Sequence, residues 1–158
     1  VGSLPERRIS MEIERKFLID PNALPFPLTD YPSHRIEQGY LCTDPVVRIR
    51  KEEAEYILTY KSKGLMVRKE YNLPLTPEAY QHLKAKIDGK LIQKKRYFIP
   101  AKNNLTIELD VFEGSLSPLC LAEVEFPDTK TADAYVPPAW FQEEVTYTSK
   151  YHNSNLSK

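Results

Sequence analysis

The run EIERK, Glu12-Ile13-Glu14-Arg15-Lys16, sets the reading of the whole chain, because its side chains change character at every step. In an extended strand, residues two apart share a face. Glu12, Glu14 and Lys16 then project together, with Ile13 and Phe17 on the opposite side. Two carboxylates held side by side repel each other unless something cationic lies between them, and a metal ion is the obvious candidate.

The same alternation returns in six later segments. One face collects Glu12, Glu14 and Lys16; Arg48 and Arg50; Lys61 and Lys63; Arg68 and Glu70; Lys94 and Arg96; Glu108 and Asp110; Glu123 and Glu125. The other face is apolar, as in Val47-Ile49, Leu58-Tyr60 and Leu105-Ile107-Leu109-Val111 with one residue skipped at each step. A half-buried sheet with its polar face in water would mix Thr, Ser, Gln and Lys of both signs. Here like charges sit together, and each such neighbour costs about a few tenths of a kcal/mol. Repetition over seven strands calls for a compensating guest. About eight antiparallel strands close into a barrel that holds one small ligand. The expected fold is therefore mainly β (α+β): an eight-stranded antiparallel closed barrel with a polar lumen, its apolar outer face covered by a few helices and loops.

The charged face has seven acids and eight bases. A pure anion receptor would not carry those carboxylates, and a pure metal buffer would not need those cations. The combination suits a metal–phosphate complex, with carboxylates on hard divalent ions and guanidinium and ammonium groups on phosphate oxygens. A chain of three phosphates carries about four to five negative charges, and two divalent ions offset about four of them.

Strands are expected near 11–19, 36–42, 46–52, 55–63, 66–75, 91–99, 104–112, 119–126 and 143–147, with hairpin turns at Gly64 and Asn103-Asn104. Thr76-Pro77-Glu78 opens a helix with apolar face Ala79, Tyr80, Leu83 and Ile87, closed by Gly89. A shorter helix follows Asp128, and the segment from Pro21 to Pro32 is a loop with room for one helical turn.

The chain has 158 residues, enough for a single domain with a sizeable core. The expected division is a leader over 1–10 ahead of a natural start at Met11, one domain over 11–153, and a frayed tail over 154–158. Lysine plus arginine equals aspartate plus glutamate at 22 each, so net charge indicates no polyanionic partner. Interleaving of bases with acids argues against nucleic acid. Two cysteines, Cys42 and Cys120, are too few for a disulfide framework and favour a reducing compartment. No apolar run approaches the roughly 18 residues of a membrane span, so no membrane partner is expected and the cytoplasm is the default location.

These motifs together resemble the CYTH, or triphosphate tunnel metalloenzyme, superfamily. The matching residues are Glu12, Glu14 and Lys16; Gln38-Gly39-Tyr40; Arg48-Ile49-Arg50; Lys61; Arg68-Lys69-Glu70; Lys94-Lys95-Arg96-Tyr97; Glu108-Leu109-Asp110-Val111-Phe112; Glu123-Val124-Glu125-Phe126; and Glu144-Val145-Thr146. They run in order from about Met11 to Asn153. The short stand-alone form, with Pro137-Pro138-Ala139-Trp140-Phe141, looks most like bacterial inorganic triphosphatases. Consecutive basic residues often follow the last motif in the family, whereas this chain has Lys150 alone after Ser149.

The resemblance implies an eight-stranded tunnel and divalent-metal-dependent hydrolysis of inorganic triphosphate to diphosphate and phosphate, with Mg²⁺ or Mn²⁺, two ions in all. The implied metal ligands are Glu12, Glu14, Glu123 and Glu125, then Asp110 and Glu108. The implied phosphate contacts are Lys16, Arg48, Arg50, Lys61, Arg68, Lys94, Arg96 and Lys150. Glu123, Glu125, Lys16 and Arg50 are the expected catalytic groups, with Glu125 or Glu123 a candidate acceptor of the water's proton. The implied partner is a small-molecule triphosphate; a homodimer stays open. Competing readings are a class IV adenylyl cyclase, a thiamine or nucleoside triphosphatase, and, in another class, a non-catalytic polyphosphate- or nucleotide-binding module.

Overall fold

Alternation of charged and apolar side chains favours strands whose two faces see different surroundings, and a computed structural model of the chain is built from such strands. It describes residues 9–64 and 66–158, with side-chain surroundings given from residue 11 onward. Most of the expected leader, 1–8, lies outside the described residues, as does Leu65.

The strands are β1 (Ile9–Ile19), β2 (Ser33–Thr43), β3 (Val46–Glu52), β4 (Glu55–Lys61), β5 (Val67–Pro74), β6 (Asp88–Pro100), β7 (Thr106–Phe112), β8 (Cys120–Glu125) and β9 (Phe141–Glu144). The helices are α1 (Pro77–Lys84), α2 (Thr129–Ala134) and α3 (Asn153–Leu156). Strand order is β5-β4-β3-β2-β6-β7-β8-β1-β9, and a further β5–β1 pairing closes eight strands into an antiparallel barrel. The ninth, β9, takes the edge of β1 that β5 leaves, pairing Phe17 with Glu144 and Ile19 with Phe141.

The barrel is inverted relative to most small barrels. Its main apolar core lies outside the wall: Ile13 and Phe17 of β1, Ile107 and Leu109 of β7 and Val124 of β8 pack under Phe26, Leu28, Tyr135, Trp140 and Phe141. Arg15 locks this cover down, donating to both carboxylate oxygens of Glu144 and to the carbonyls of Ala132 and Tyr135. On the other side, α1 is capped by Thr76, whose hydroxyl accepts from the Ala79 amide at 3.0 Å, and it buries Tyr80 against Tyr56.

A second apolar cluster lies inside the barrel at one end. Leu18, Tyr40, Val46, Ile92, Phe112 and Leu121 continue the lumen-facing rows of their strands, and Val145, Tyr151 and Leu156 of the C-terminal segment pack against them. The lumen therefore ends in an apolar floor.

Three expectations change. β1 starts at Ile9, inside the expected leader, pairing with Tyr71. α1 ends at Lys84, and Gly89 already belongs to β6; its φ of +66° and the Ser157 carbonyl, 2.2 Å from where a Cβ would stand, explain the glycine. Of the residues expected as a frayed tail, 154–156 belong to α3, and Ser157 is buried with its carbonyl accepting from the Lys90 amide.

Candidate active site

Cross-strand pairing decides which charges meet in the lumen. Glu14 of β1 stands opposite Glu125 of β8, and Glu123 of β8 stands between Glu108 of β7 and Lys16 of β1. Glu12 faces Arg68, and Arg96 faces Asp110. Around the wall, Glu108, Glu123, Glu125, Glu12 and Glu14 occupy the contiguous strands β7, β8 and β1, and Arg48, Arg50, Lys61 and Arg96 come from β3, β4 and β6; Lys16 on β1, Glu52 on β3 and the Arg68–Glu70 strand β5 mix the two signs at the borders. One cavity of about 270 Å³ is lined by both arcs.

Glu12, Glu14, Lys16, Arg48, Arg50, Lys61, Arg68, Arg96, Glu108, Glu123 and Glu125 all line that cavity. Three expected ligands do not. Lys94 and Asp110 are fully buried one pleat deeper, joined to each other at 2.7 Å. Asp110 also receives Arg96 Nε and Nη2 at 2.7 and 2.9 Å, so its carboxylate is spent on two cations and reaches the lumen only through Arg96. Lys150 is exposed, its ammonium over the Tyr151 ring outside the cavity. Lys63, read with the lumen face, lies past the end of β4, with its side chain largely exposed beside Asp44.

Several lining residues carried no expected role. Glu52 and Phe98 continue the lumen rows of Arg48-Arg50 and Lys94-Arg96 at the mouth, and that parity was available in the sequence. Glu70 and Tyr40 also line the cavity. His152, Asn153 and Ser154 arrive from the C-terminal segment, which no periodicity announces.

Ion pairs leave the two arcs unequally satisfied. Lys61 pairs with Glu12 at 2.7 Å, Arg68 with Glu12 at 3.3 Å, Lys16 with Glu123 at 3.4 Å, and Arg96 with Glu108 at 2.8 Å. Among the described residues Arg48 has no carboxylate within ion-pair reach, and Arg50 has Glu52 alone at 3.6 Å with Gln38 Oε1 accepting from its Nε at 3.0 Å. Burial and the neighbouring Arg48 and Arg96 push the Arg50 pKa down to about 10. Two guanidinium groups in a crowded cationic corner are an incomplete anion site.

The acid arc is strained in the opposite sense. Burial, then the charges of Glu123 and Glu12, raise Glu14 well above the usual carboxylate range. Burial and the neighbouring Glu12, Glu108 and Glu70 raise Glu125 to about 7. Glu123 goes the other way: burial opposes its charge, but Lys16, Arg96 and Lys94 outweigh it and hold the group well below its ordinary value. Among the described residues no three carboxylate, histidine or cysteine side chains converge into a closed metal cage. A hard cation that keeps most of its water and shares a guest's phosphate oxygens needs only one or two of these carboxylates, and it would relieve the repulsion of Glu14 by Glu123 and Glu12. The donor set fits such an ion.

Glu125 gives a direct check on this repulsion. A folded-state pKa above the unfolded value stabilises below about pH 4.5, and that contribution is lost as pH rises through about 7. The group is more than a third exposed at the mouth, so water screens the effect to about 1 kcal/mol. Metal-free Glu125→Gln is expected to match the parent at pH 4.5 and to exceed it by about 1 kcal/mol at pH 8, read by urea unfolding. Equal stability at both pH values would refute the crowding of acids.

Comparison with known proteins agrees with this architecture. Residues 10–158 match the CYTH domain. The chain is similar to the inorganic triphosphatase of Nitrosomonas europaea, 40% identical over 149 residues that cover 92% of this chain and 96% of the relative. It is also similar to the inorganic triphosphatase of Acetivibrio thermocellus, 33% identical over 152 residues, covering 93% of each. A crystal structure of an inorganic triphosphatase superposes with a TM-score of 0.68 at 38% identity, over 92% of this chain and 93% of that one. The PH1012 protein of Pyrococcus horikoshii shares the fold at 19% identity, with a TM-score of 0.57 over 77% of this chain and 82% of its own. By the profile match and the shared length, this chain belongs to the CYTH domain family.

Proposed function

We propose that this protein is a divalent-metal-dependent hydrolase of inorganic triphosphate, yielding diphosphate and phosphate. The observation that carries the reading is the division of one enclosed lumen into an acid arc and a basic arc. A guest that satisfies both must present anionic oxygens to one wall and cations to the other, which a metal-bound phosphate chain does. The relatives named as inorganic triphosphatases support the choice of guest.

Arg48 and Arg50 receive phosphate oxygens first, since their cationic charge is least compensated. Lys16, Lys61, Arg68 and Arg96, each tethered to a carboxylate, hold the rest of the chain and stabilise charge moving onto the leaving diphosphate. Glu12, Glu14, Glu108, Glu123 and Glu125 form the wall that would hold Mg²⁺ or Mn²⁺, two ions shared with water and substrate. When bound, such ions supply charge neutralisation and a more acidic water. Glu125, exposed at the mouth of this wall, is the carboxylate assigned to take the proton of an attacking water. Glu123, held ionised, keeps Lys16 and Arg96 aimed.

The test is phosphate release from inorganic triphosphate, ATP and thiamine triphosphate with Mg²⁺, Mn²⁺ and Ca²⁺. Inorganic triphosphate should be turned over at least about tenfold more efficiently than the organic esters, with Ca²⁺ binding but failing to support turnover. Cyclic AMP from ATP, or ATP hydrolysis with triphosphate untouched, would overturn the assignment.

A further inference from the structure

Arg48, Thr59 and Asn72 stand side by side on three adjacent strands, paired in register from β3 to β4 to β5. Thr59 is fully buried. Neither Thr59 nor Asn72 lines the cavity, yet both residues at the ends of their hydrogen-bond chain do. Arg48 Nη2 donates to Thr59 Oγ1 at 3.3 Å, Thr59 Oγ1 donates to Asn72 Oδ1 at 2.6 Å, and Asn72 Nδ2 donates to Glu70 Oε1 at 2.7 Å.

The donors run one way along this chain, from Arg48 to Glu70. A guanidinium has donors only, so Thr59 Oγ1 must accept from it and spend its own proton on Asn72. Asn72 then accepts through its carbonyl and donates through its amide, which is what a carboxylate requires. Valine would fill the same volume, and a buried hydroxyl carries a desolvation cost unless its partners use it. The hydroxyl and the amide carry the chain from a guanidinium to a carboxyl group across three strands.

We propose that Thr59 is a positioning residue for the lumen: through Asn72 it ties Arg48 of the basic arc to Glu70 beside the acid arc, fixing both against a phosphate guest. The inference rests on the reading of Arg48 as a phosphate contact.

The experiment compares Thr59→Val, Thr59→Ser, Asn72→Ala, the Thr59→Val/Asn72→Ala pair and Arg48→Ala. Binding of inorganic triphosphate is measured by calorimetry without divalent metal, alongside kcat and KM with Mg²⁺. Thr59→Val is expected to weaken binding and raise KM about tenfold, with kcat changed by less than about threefold. Thr59→Ser restores the hydroxyl and stays within about twofold of the parent. The pair is no worse than Asn72→Ala alone, because the two act as one unit. Equal effects of valine and serine, or additive effects in the pair, overturn the proposal; if Thr59→Val does not fold, Asn72→Ala, at a half-buried site, carries the same expected loss and the same refutation by an unchanged KM. Arg48→Ala with unchanged triphosphate binding overturns the reading of Arg48 instead. Parent protein that binds triphosphate without turnover refutes the hydrolase and leaves the binding arms decisive for Thr59.

Discussion

Asp110→Ala is expected to lower folding stability by about 3–5 kcal/mol, because it strands two cations in the interior. Asp110 is fully buried, pairs with Lys94 at 2.7 Å and takes both donors of one edge of Arg96. Its own ionisation is favoured for the same reason: burial opposes the charge, yet Arg96 and Lys94 hold its pKa below the ordinary value. Lys94 has no exposure at all, and burial already pushes its pKa down to about 7 despite Asp110. With the carboxylate gone, the lysine sheds its proton in the folded state while keeping it in the unfolded chain. A base with a depressed folded pKa contributes stability above its unfolded value and loses it as pH falls. The deficit of Asp110→Ala should therefore narrow as pH is raised from about 5 to about 7, and level off above that, where the parent's own Lys94 is neutral as well. Urea midpoints across that range check both parts. A deficit below about 1 kcal/mol that ignores pH would mean that the triad is not the keystone its distances suggest.

Glu123→Gln is expected to reduce kcat for triphosphate at least about 100-fold while leaving fold and guest binding in place. The substitution keeps shape and removes one charge from the position between Glu108 and Lys16. Lys16 and Arg96, at 3.4 and 3.5 Å, lose their anionic tether, so attraction for phosphate rises if anything. What goes is one of the carboxylates proposed to face the metal. The signature is low kcat with KM unchanged or lowered, and Glu14→Gln should behave alike. A rise in KM with kcat intact would place Glu123 in the phosphate clamp. Binding without turnover in the parent, and no loss of binding in the variant, would identify a non-catalytic module.

Most of the barrel was legible because strand parity is a two-state signal. Alternation in Glu12-Ile13-Glu14 and in Arg48-Ile49-Arg50 assigns each side chain to one of two faces, and like charges on one face indicated that it was enclosed. Parity does not report depth. Lys94 and Asp110 share their rows with Arg96 and Glu108, yet one pleat further in they are fully buried and pair with each other. Charge counting also passes over neutral residues, so Thr59 and Asn72 drew no notice although they join two charged walls. The C-terminal segment was opaque for another reason. His152, Asn153 and Ser154 reach the lumen through short turns of polar residues, a composition that reads as solvent-exposed. Lys150, placed by motif spacing alone, falls on the outside of the same turn. Gly89 has the spacing of a helix stop, but its positive φ makes room for the Ser157 carbonyl instead.

The apolar floor built from Leu18, Ile92, Phe112 and Leu121 turns a passage into a blind alley. Under the proposed hydrolysis, a guest enters past Glu52 and Phe98 and its fragments leave the same way, the piece nearest the exit first. A linear chain too long for the chamber would leave its far end outside, and cutting would proceed from a terminus.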